Sequence, residues 1–458
     1  MLAFTLLLGA SSSANTLTLD DAIEILKREN LEIRTATLDV NVANEDAKSA
    51  SGMHWGALNF TQDFARSNDA GNVFGFKLAS REAAFGDFGF NQFIGQMDTI
   101  TPGSPTFDGG TKLLATQPND LNYPDDRNFF QSKLKYQVPL FTGFAITSYE
   151  EVMDSMKKLK SLEKEQITQE KIYELKKSYY DMALLNDSIS HLEKIQTNIQ
   201  KLEDVTTQMI NEGYAKKIDL LEVQAKKGNV ERILLQMCAN EKLLYHYISF
   251  LLNQKVDSIA LIDSNIEVPN YDEAEILNNN LDVLKAKTGM DIHKNMLSAS
   301  EAALYPNLGA FAEVSTADDS FLGEADDHKA YTLGARLSWN LFNGGIDAAK
   351  IEKSKLEQLK MSSQLELARK GVALEISKTT TEIKSINEEI HSLEKELTLM
   401  EAIYDNYLGR YKEKLASMSD VIIKQSEEIE KRLELQMAKN KRNEKIFALE
   451  KLANGEYK

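Results

Sequence analysis

Leu140-Phe141-Thr142-Gly143-Phe144 and Leu341-Phe342-Asn343-Gly344-Gly345 are one phrase written twice, 201 residues apart. The same offset of 201 separates Ile218-Asp219-Leu220-Leu221 from Ser419-Asp420-Val421-Ile422, so neither copy needs a gap between the two markers. Upstream, Asn30-Leu31-Glu32 matches Asn280-Leu281-Asp282, and Trp55-Gly56-Ala57-Leu58 matches Tyr305-Pro306-Asn307-Leu308, both at an offset of 250. The two offsets differ by 49 residues, which places one insertion between Leu58 and Leu140 of the first copy. Short words match by chance, but markers that hold one order and one register along a whole chain do not. The chain is an internal duplication.

The prolines show what each copy is made of. Of seven, four (Pro102, Pro105, Pro118, Pro124) lie in the insertion, the others are Pro139, Pro269 and Pro306, and residues 140–268 and 307–458 contain none. Nothing there forbids very long helices. In the first copy apolar residues run Ile189, Leu192, Ile195, Ile199, Leu202, Val205, Met209. In the second they run Ile383, Ile386, Ile390, Leu393, Leu397, Met400, Tyr404, Tyr407, Tyr411. Steps of three and four give a heptad seam, the pattern of coiled-coil packing. A breaker follows in each copy, at Asn211-Glu212-Gly213 and at Leu415-Ala416-Ser417, and helical character then resumes, so each copy contains a helical hairpin.

The arms are unequal. Residues 145–210 would span roughly 100 Å as a helix, and 218–253 about half of that. The sequence order suggests that 281–304 continues the first short arm and that 18–52, at the start of the chain, continues the second, 419–453. Between the helices lie segments that alternate large apolar with small or polar residues at period two. They are 57–66, 129–141, 307–316 and 330–342, each about the length that crosses a bilayer obliquely. Four strands do not close a barrel, and lipid does not tolerate an open sheet edge, so several chains are expected to share one barrel.

Composition narrows the function. A net charge of −17 lacks the basic surface that nucleic acid requires. The lone Cys238 excludes an internal disulfide and a paired-cysteine metal site. The six histidines are scattered, and no nucleophile–base order or glycine-rich phosphate loop is present, so an enzyme is not expected and no cofactor or metal is implied. Residues 1–14 read as a signal peptide, with an apolar run from Leu2 to Leu8 and small residues Ser12-Ser13-Ala14 before Asn15.

The duplicated Leu-Phe-x-Gly strand endings (Leu140, Phe141, Gly143; Leu341, Phe342, Gly344) resemble those of the TolC-type outer-membrane efflux proteins. So do the tip Gly213 followed by Asp219-Leu220-Leu221, and Tyr411 followed by Asp420-Val421-Ile422. The resemblance runs from about Leu17 to Gly455. It implies an α+β membrane protein, internally duplicated, whose long coiled-coil hairpins form an α-helical barrel joined to four strands of a trimeric transmembrane β-barrel. It implies a first repeat over 15–265, with an extracellular insertion at 67–128 and a hairpin at 144–253. The second repeat is expected over 266–458, with a helix at 272–304 and a hairpin at 345–453. The implied partners are two further copies in a homotrimer, a periplasmic adaptor, an inner-membrane pump or ABC exporter, and outer-membrane lipid.

The resemblance also suggests roles. Tyr411 and Asp219 match a polar latch that closes the periplasmic end, where the family's usual arginine is replaced by Ala416. Asp420 matches an acidic ring at the entrance, with Ile423 where a second acid often stands. Like charges in such a ring would raise each other's pKa and select cations. Gly213 and Lys414 occupy the two hairpin tips, where the adaptor is expected. Plainer roles compete: Tyr411 ends a heptad seam, and Asp219 and Asp420 open helices as N-terminal acids. A periplasmic adaptor or a structural coiled coil would also have long hairpins, but neither accounts for two hairpins together with four membrane-length strands.

Overall fold

The structure, a computed structural model, describes residues 16–97, 114–262, 266–269, 272–321, 323–324 and 326–455. The expected signal peptide at 1–14 lies outside the described residues, as does 98–113 within the insertion. The chain divides into two units, a helical one (up to Glu45, Met153–His293 and from Glu357) and a sheet-bearing one (Asp46–Val152 and Lys294–Leu356).

In the sheet unit, strands β1 (Ala57–Ser67), β2 (Arg127–Phe141), β3 (Asn307–Asp318) and β4 (Lys329–Ser338) form one antiparallel sheet in the order β1-β2-β3-β4. The duplication extends to the pairing. Ala57 faces Gln137 in the first hairpin and Asn307 faces Ser338 in the second, which are the same pair after shifts of 250 and 201 residues. Pro139, which has no N–H to give to a ladder, sits where the β2–β3 register slips between Pro139 and Phe141.

One strand is shorter than its sequence. A strand was expected over 330–342, yet β4 ends at Ser338, so Leu341 and Phe342 lie outside it. The cause is the absence of a partner. Ser338 pairs with Asn307, the first residue of β3, and among the described residues none pairs with Trp339–Phe342. The equivalent end of β2 continues to Phe141 because β3 lies on its other side.

The helical unit repeats itself with equal fidelity. The long arms are α-helices over Ala145–Asn211 and Ile346–Lys412, each 67 residues, and the short arms run over Lys217–Leu251 and Met418–Leu452, each 35 residues. Leu26, Ile33, Leu175, Met182 and Ile248 make one core; Ile276, Val283, Ile376, Ile383 and Leu449 are the same five positions in the other copy. The expected helix at 272–304 is interrupted at Asn280, giving Glu273–Asn279 and Leu281–Glu301, with a 3-10 turn over Ala302–Leu304.

That interruption corrects the expected order of the arms. Buried Asn280 caps the helix from Leu281 by accepting from the Asp282 and Val283 N–H groups at 3.0 and 3.3 Å, and its amide donates to the Leu452 carbonyl at 2.9 Å. Asn30 does the same with Glu32 and Ile33, and donates to the Leu251 carbonyl at 2.8 Å. The first short arm is therefore continued by the helix Leu31–Gly52, and the second by Leu281–Glu301, the reverse of the expectation. A helix end presents unsatisfied carbonyls, and the asparagine that meets them decides the junction, not the nearest segment in sequence.

Candidate functional site

The sheet has two chemically distinct faces. Because paired residues of an antiparallel sheet share a face, Leu58, Tyr136, Ala312 and Leu333 form one row and Phe60, Leu134, Val314 and Tyr331 the next. The opposite face carries Asn59, Lys135, Glu313 and Thr332, with Lys133 paired to Glu313 at 3.7 Å. The large residues of the apolar face are exposed in the single chain, Tyr331 at 78% and Leu333 at 70%. Aromatic residues mark both ends. Phe64, Phe130 and Phe321 cluster at one; at the other, the Tyr136 hydroxyl donates to the Trp55 carbonyl and the Trp339 indole N–H to the Leu304 carbonyl. An apolar band between aromatic rims, backed by a polar face, fits a bilayer on one side and water on the other.

The Leu-Phe-x-Gly motif ends β2 in the first copy, follows the end of β4 in the second, and in both leads into the long arm. Gly143 takes a left-handed φ of 61°, and a Cβ there would lie 2.7 Å from the Ala302 carbonyl oxygen. Phe141, Phe144 and Tyr305 pack edge-on around it. Gly344 has the same turn, φ 72°, with nothing within 4 Å of a Cβ, and Phe342 is 86% exposed. Leu140 and Leu341 are exposed in both copies.

The insertion contributes helices over Ala70–Ala79 and Phe90–Met97. It packs on the polar face. Phe76 stacks on Phe129 at 4.2 Å, and Arg127 bonds Ser80 and Glu82; Phe129 and Arg127 share the strand parity of Lys133 and Lys135. Phe74 meets Phe88 at 5.0 Å and Lys77 pairs with Asp87 at 2.5 Å, so this segment has its own internal packing.

The hairpin tips belong to the helical unit. Gly213 (φ 83°) and Lys414 (φ 65°) are equivalent left-handed residues that end the long arms. The non-glycine copy is held by chemistry, since the Lys414 ammonium lies 3.3 Å from the centre of the Tyr214 ring. Asp219 and Asp420 then open the short arms. The Asp219 carboxylate accepts from the Lys216 N–H at 2.8 Å, and Asp420 from the Ser417 N–H at 3.1 Å and hydroxyl at 2.6 Å. The Ser417 hydroxyl and N–H hold the Asp420 carboxyl below the usual carboxylate range. Within one chain this is the opposite of the rise expected from a ring of like charges. Ile423 is exposed one turn on.

Tyr411 is buried, and its hydroxyl meets the Thr206 hydroxyl at 3.3 Å. Burial, with the Asp219 charge nearby, raises its pKa. Asp219 acts on it through space and makes its hydrogen bond to Lys216. Sequence reasoning missed Thr206, which lies 205 residues from its partner, in the preceding long arm. It also missed the charged layer in which Arg432 binds buried Glu428 at 2.9 Å and also contacts Glu401. The heptad pattern records apolar positions only, so charged residues inside the seam leave no mark in it.

Comparison with known proteins agrees with this geometry. Residues 274–455 match the outer membrane efflux protein family. Among solved structures, the transmembrane channel protein CusC superposes with a TM-score of 0.76 at 12% identity, covering 95% of this chain and 91% of that one. The outer membrane protein VceC of Vibrio cholerae gives 0.75 at 15% identity, covering 95% and 96%. The MtrE outer membrane channel of Neisseria gonorrhoeae, solved in its open state, gives 0.74 at 13% identity, covering 95% and 88%. No curated protein matches the sequence.

Proposed function

We propose that this chain, whose residues 274–455 match the outer membrane efflux protein family, is one subunit of an outer-membrane exit duct. The observation that carries the reading is the four-stranded sheet with one apolar face, one polar face and two open edges. Water cannot cover the apolar face and lipid cannot satisfy the edges, so the stable form is a closed barrel shared among copies. Three copies of four strands, a homotrimer, give a twelve-stranded barrel of the family's kind. The long helical arms then line the path through the periplasm. Transport is passive: an inner-membrane pump or ABC exporter, joined through a periplasmic adaptor at the Gly213 and Lys414 tips, supplies the substrate and the energy.

Two finer assignments follow from this reading. The insertion, on the polar face, lies within the outer mouth of the barrel. Tyr411, Asp219 and Asp420 stand at the periplasmic entrance, where Tyr411 with Thr206 fixes the closed seam and Asp420 carries the entrance charge. The experiment is membrane fractionation with gel analysis of unheated and heated samples. The expected result is an outer-membrane species that runs as a trimer until boiled. A monomer in the periplasmic fraction would favour an adaptor or a structural coiled coil.

A further inference from the structure

The internal duplication specifies a contact that a single chain does not make. The sheet has three seams. The two hairpin seams, β1–β2 and β3–β4, are copies of each other residue for residue. The third, β2–β3, joins the repeats within the chain. Its counterpart joins β4 to a β1 that this chain cannot supply, because β1 lies at the far edge of the same sheet. We infer that β4 of one protomer pairs with β1 of the next in the register of the β2–β3 seam, with Arg336 opposite Asp63 across the protomer boundary.

The register follows by transferring each β2–β3 pair with the shifts that the hairpins obey. Gln137 faces Phe311, so Ser338 faces Thr61 of the neighbour. Val138 faces Ala310, so Trp339 faces Phe60; Phe141 faces Leu308 beyond the slip, so Phe342 faces Leu58. This alignment puts apolar residues opposite apolar ones and extends β4 over the residues that lack a partner in the single chain.

Charge supports the same register independently. Lys135 faces Glu313 in the internal seam, and the transferred pair is Arg336 and Asp63, again a cation opposite an acid. Both residues are exposed, and among the described residues neither makes an ion pair within the chain. Lys133, which pairs with Glu313 internally, corresponds to Gly334, so in the outer seam the directly opposed arginine is the cation left for the acid. A slip by one residue would carry each side chain to the other face and set Arg336 opposite Gln62 or Phe64, with no acid facing it.

This inference rests on the proposed barrel, and the experiment separates the two. In a Cys238→Ser chain, Ser338→Cys with Thr61→Cys brings two thiols into disulfide range if the register holds. Oxidation in the membrane should then link protomers, while Ser338→Cys with Asn59→Cys should not. Separately, Arg336→Asp and Asp63→Arg should each lower the trimer fraction about five-fold or more, and the double reversal should restore it. Linkage through Asn59 in an intact trimer, or trimers indifferent to both reversals, would overturn the register. A wild-type chain that never oligomerises overturns the barrel reading as well, so the failures are distinguishable.

Discussion

The ends of β2 and β4 carry the same Leu-Phe-x-Gly motif in different circumstances. At β2–β3, Phe141 lies in a strand, Gly143 is held against the Ala302 carbonyl, and Tyr305 packs between Phe141 and Phe144. At the free edge, Phe342 is exposed, Gly344 faces open space, and the strand stops four residues before the phenylalanine. The difference shows that the repeated motif does not make the strand by local propensity. It forms one where a neighbour is present, so its persistence at the free edge fits the protomer pairing proposed above.

The largest effect that sharpens this comparison comes from the two turn glycines. Gly143→Ala meets backbone within the chain and forces a left-handed alanine, costing about 1–3 kcal/mol in chemical unfolding of the single chain. Gly344→Ala carries only the left-handed cost, about 1–2 kcal/mol, in the same measurement. If the outer seam copies the inner one, Gly344→Ala should nevertheless remove the trimer as fully as Gly143→Ala does. A trimer fraction unchanged by Gly344→Ala would mean that the two seams differ.

The insertion breaks the equivalence of the repeats, since only β1 and β2 carry it. Replacing 70–122 by a short turn should leave trimer formation intact and raise single-channel conductance, because the segment packs on the polar face. Failure of the shortened chain to insert would make the segment part of the barrel itself.

A smaller effect is expected at the entrance. Divalent or trivalent cations applied from the periplasmic side should block current, and Asp420→Ala should abolish the block. The Ser417 bonds keep Asp420 charged below the ordinary carboxylate range, so the block should persist at a pH where an ordinary aspartate has lost its charge and weaken only below that. Ser417→Ala should move that weakening to higher pH. Equal block in wild type and Asp420→Ala would leave Asp420 as a helix cap alone. The smallest effect is that of Tyr411→Phe, which keeps the buried ring and removes the bond to Thr206. Conductance should rise modestly, and an unchanged value would assign Tyr411 to packing.

Much of this architecture is legible in the sequence because duplication supplies its own control. The two offsets locate the insertion, and the heptad seam and period-two segments give hairpins and strands. What was not legible depends on long-range contact. Asn30 and Asn280 stood out as repeat markers, but their role at the Leu251 and Leu452 carbonyls joins segments 221 and 172 residues apart. That is why the arms were first joined in the wrong order. Period-two alternation likewise runs on through Leu341 without saying whether a partner strand exists. At the tips, the sequence marks the acids and the tyrosine as candidates, but not the bonds of Asp420 to Ser417 and of Tyr411 to Thr206.

The central claim is that copies of this chain close a conducting barrel. It is tested most directly by light scattering and planar-bilayer recording on the same detergent-extracted sample. The account predicts a particle of three protomers that inserts and conducts discrete current steps. Channel activity from a sample that scatters as a monomer would contradict it, because four strands would then be conducting without a closed sheet.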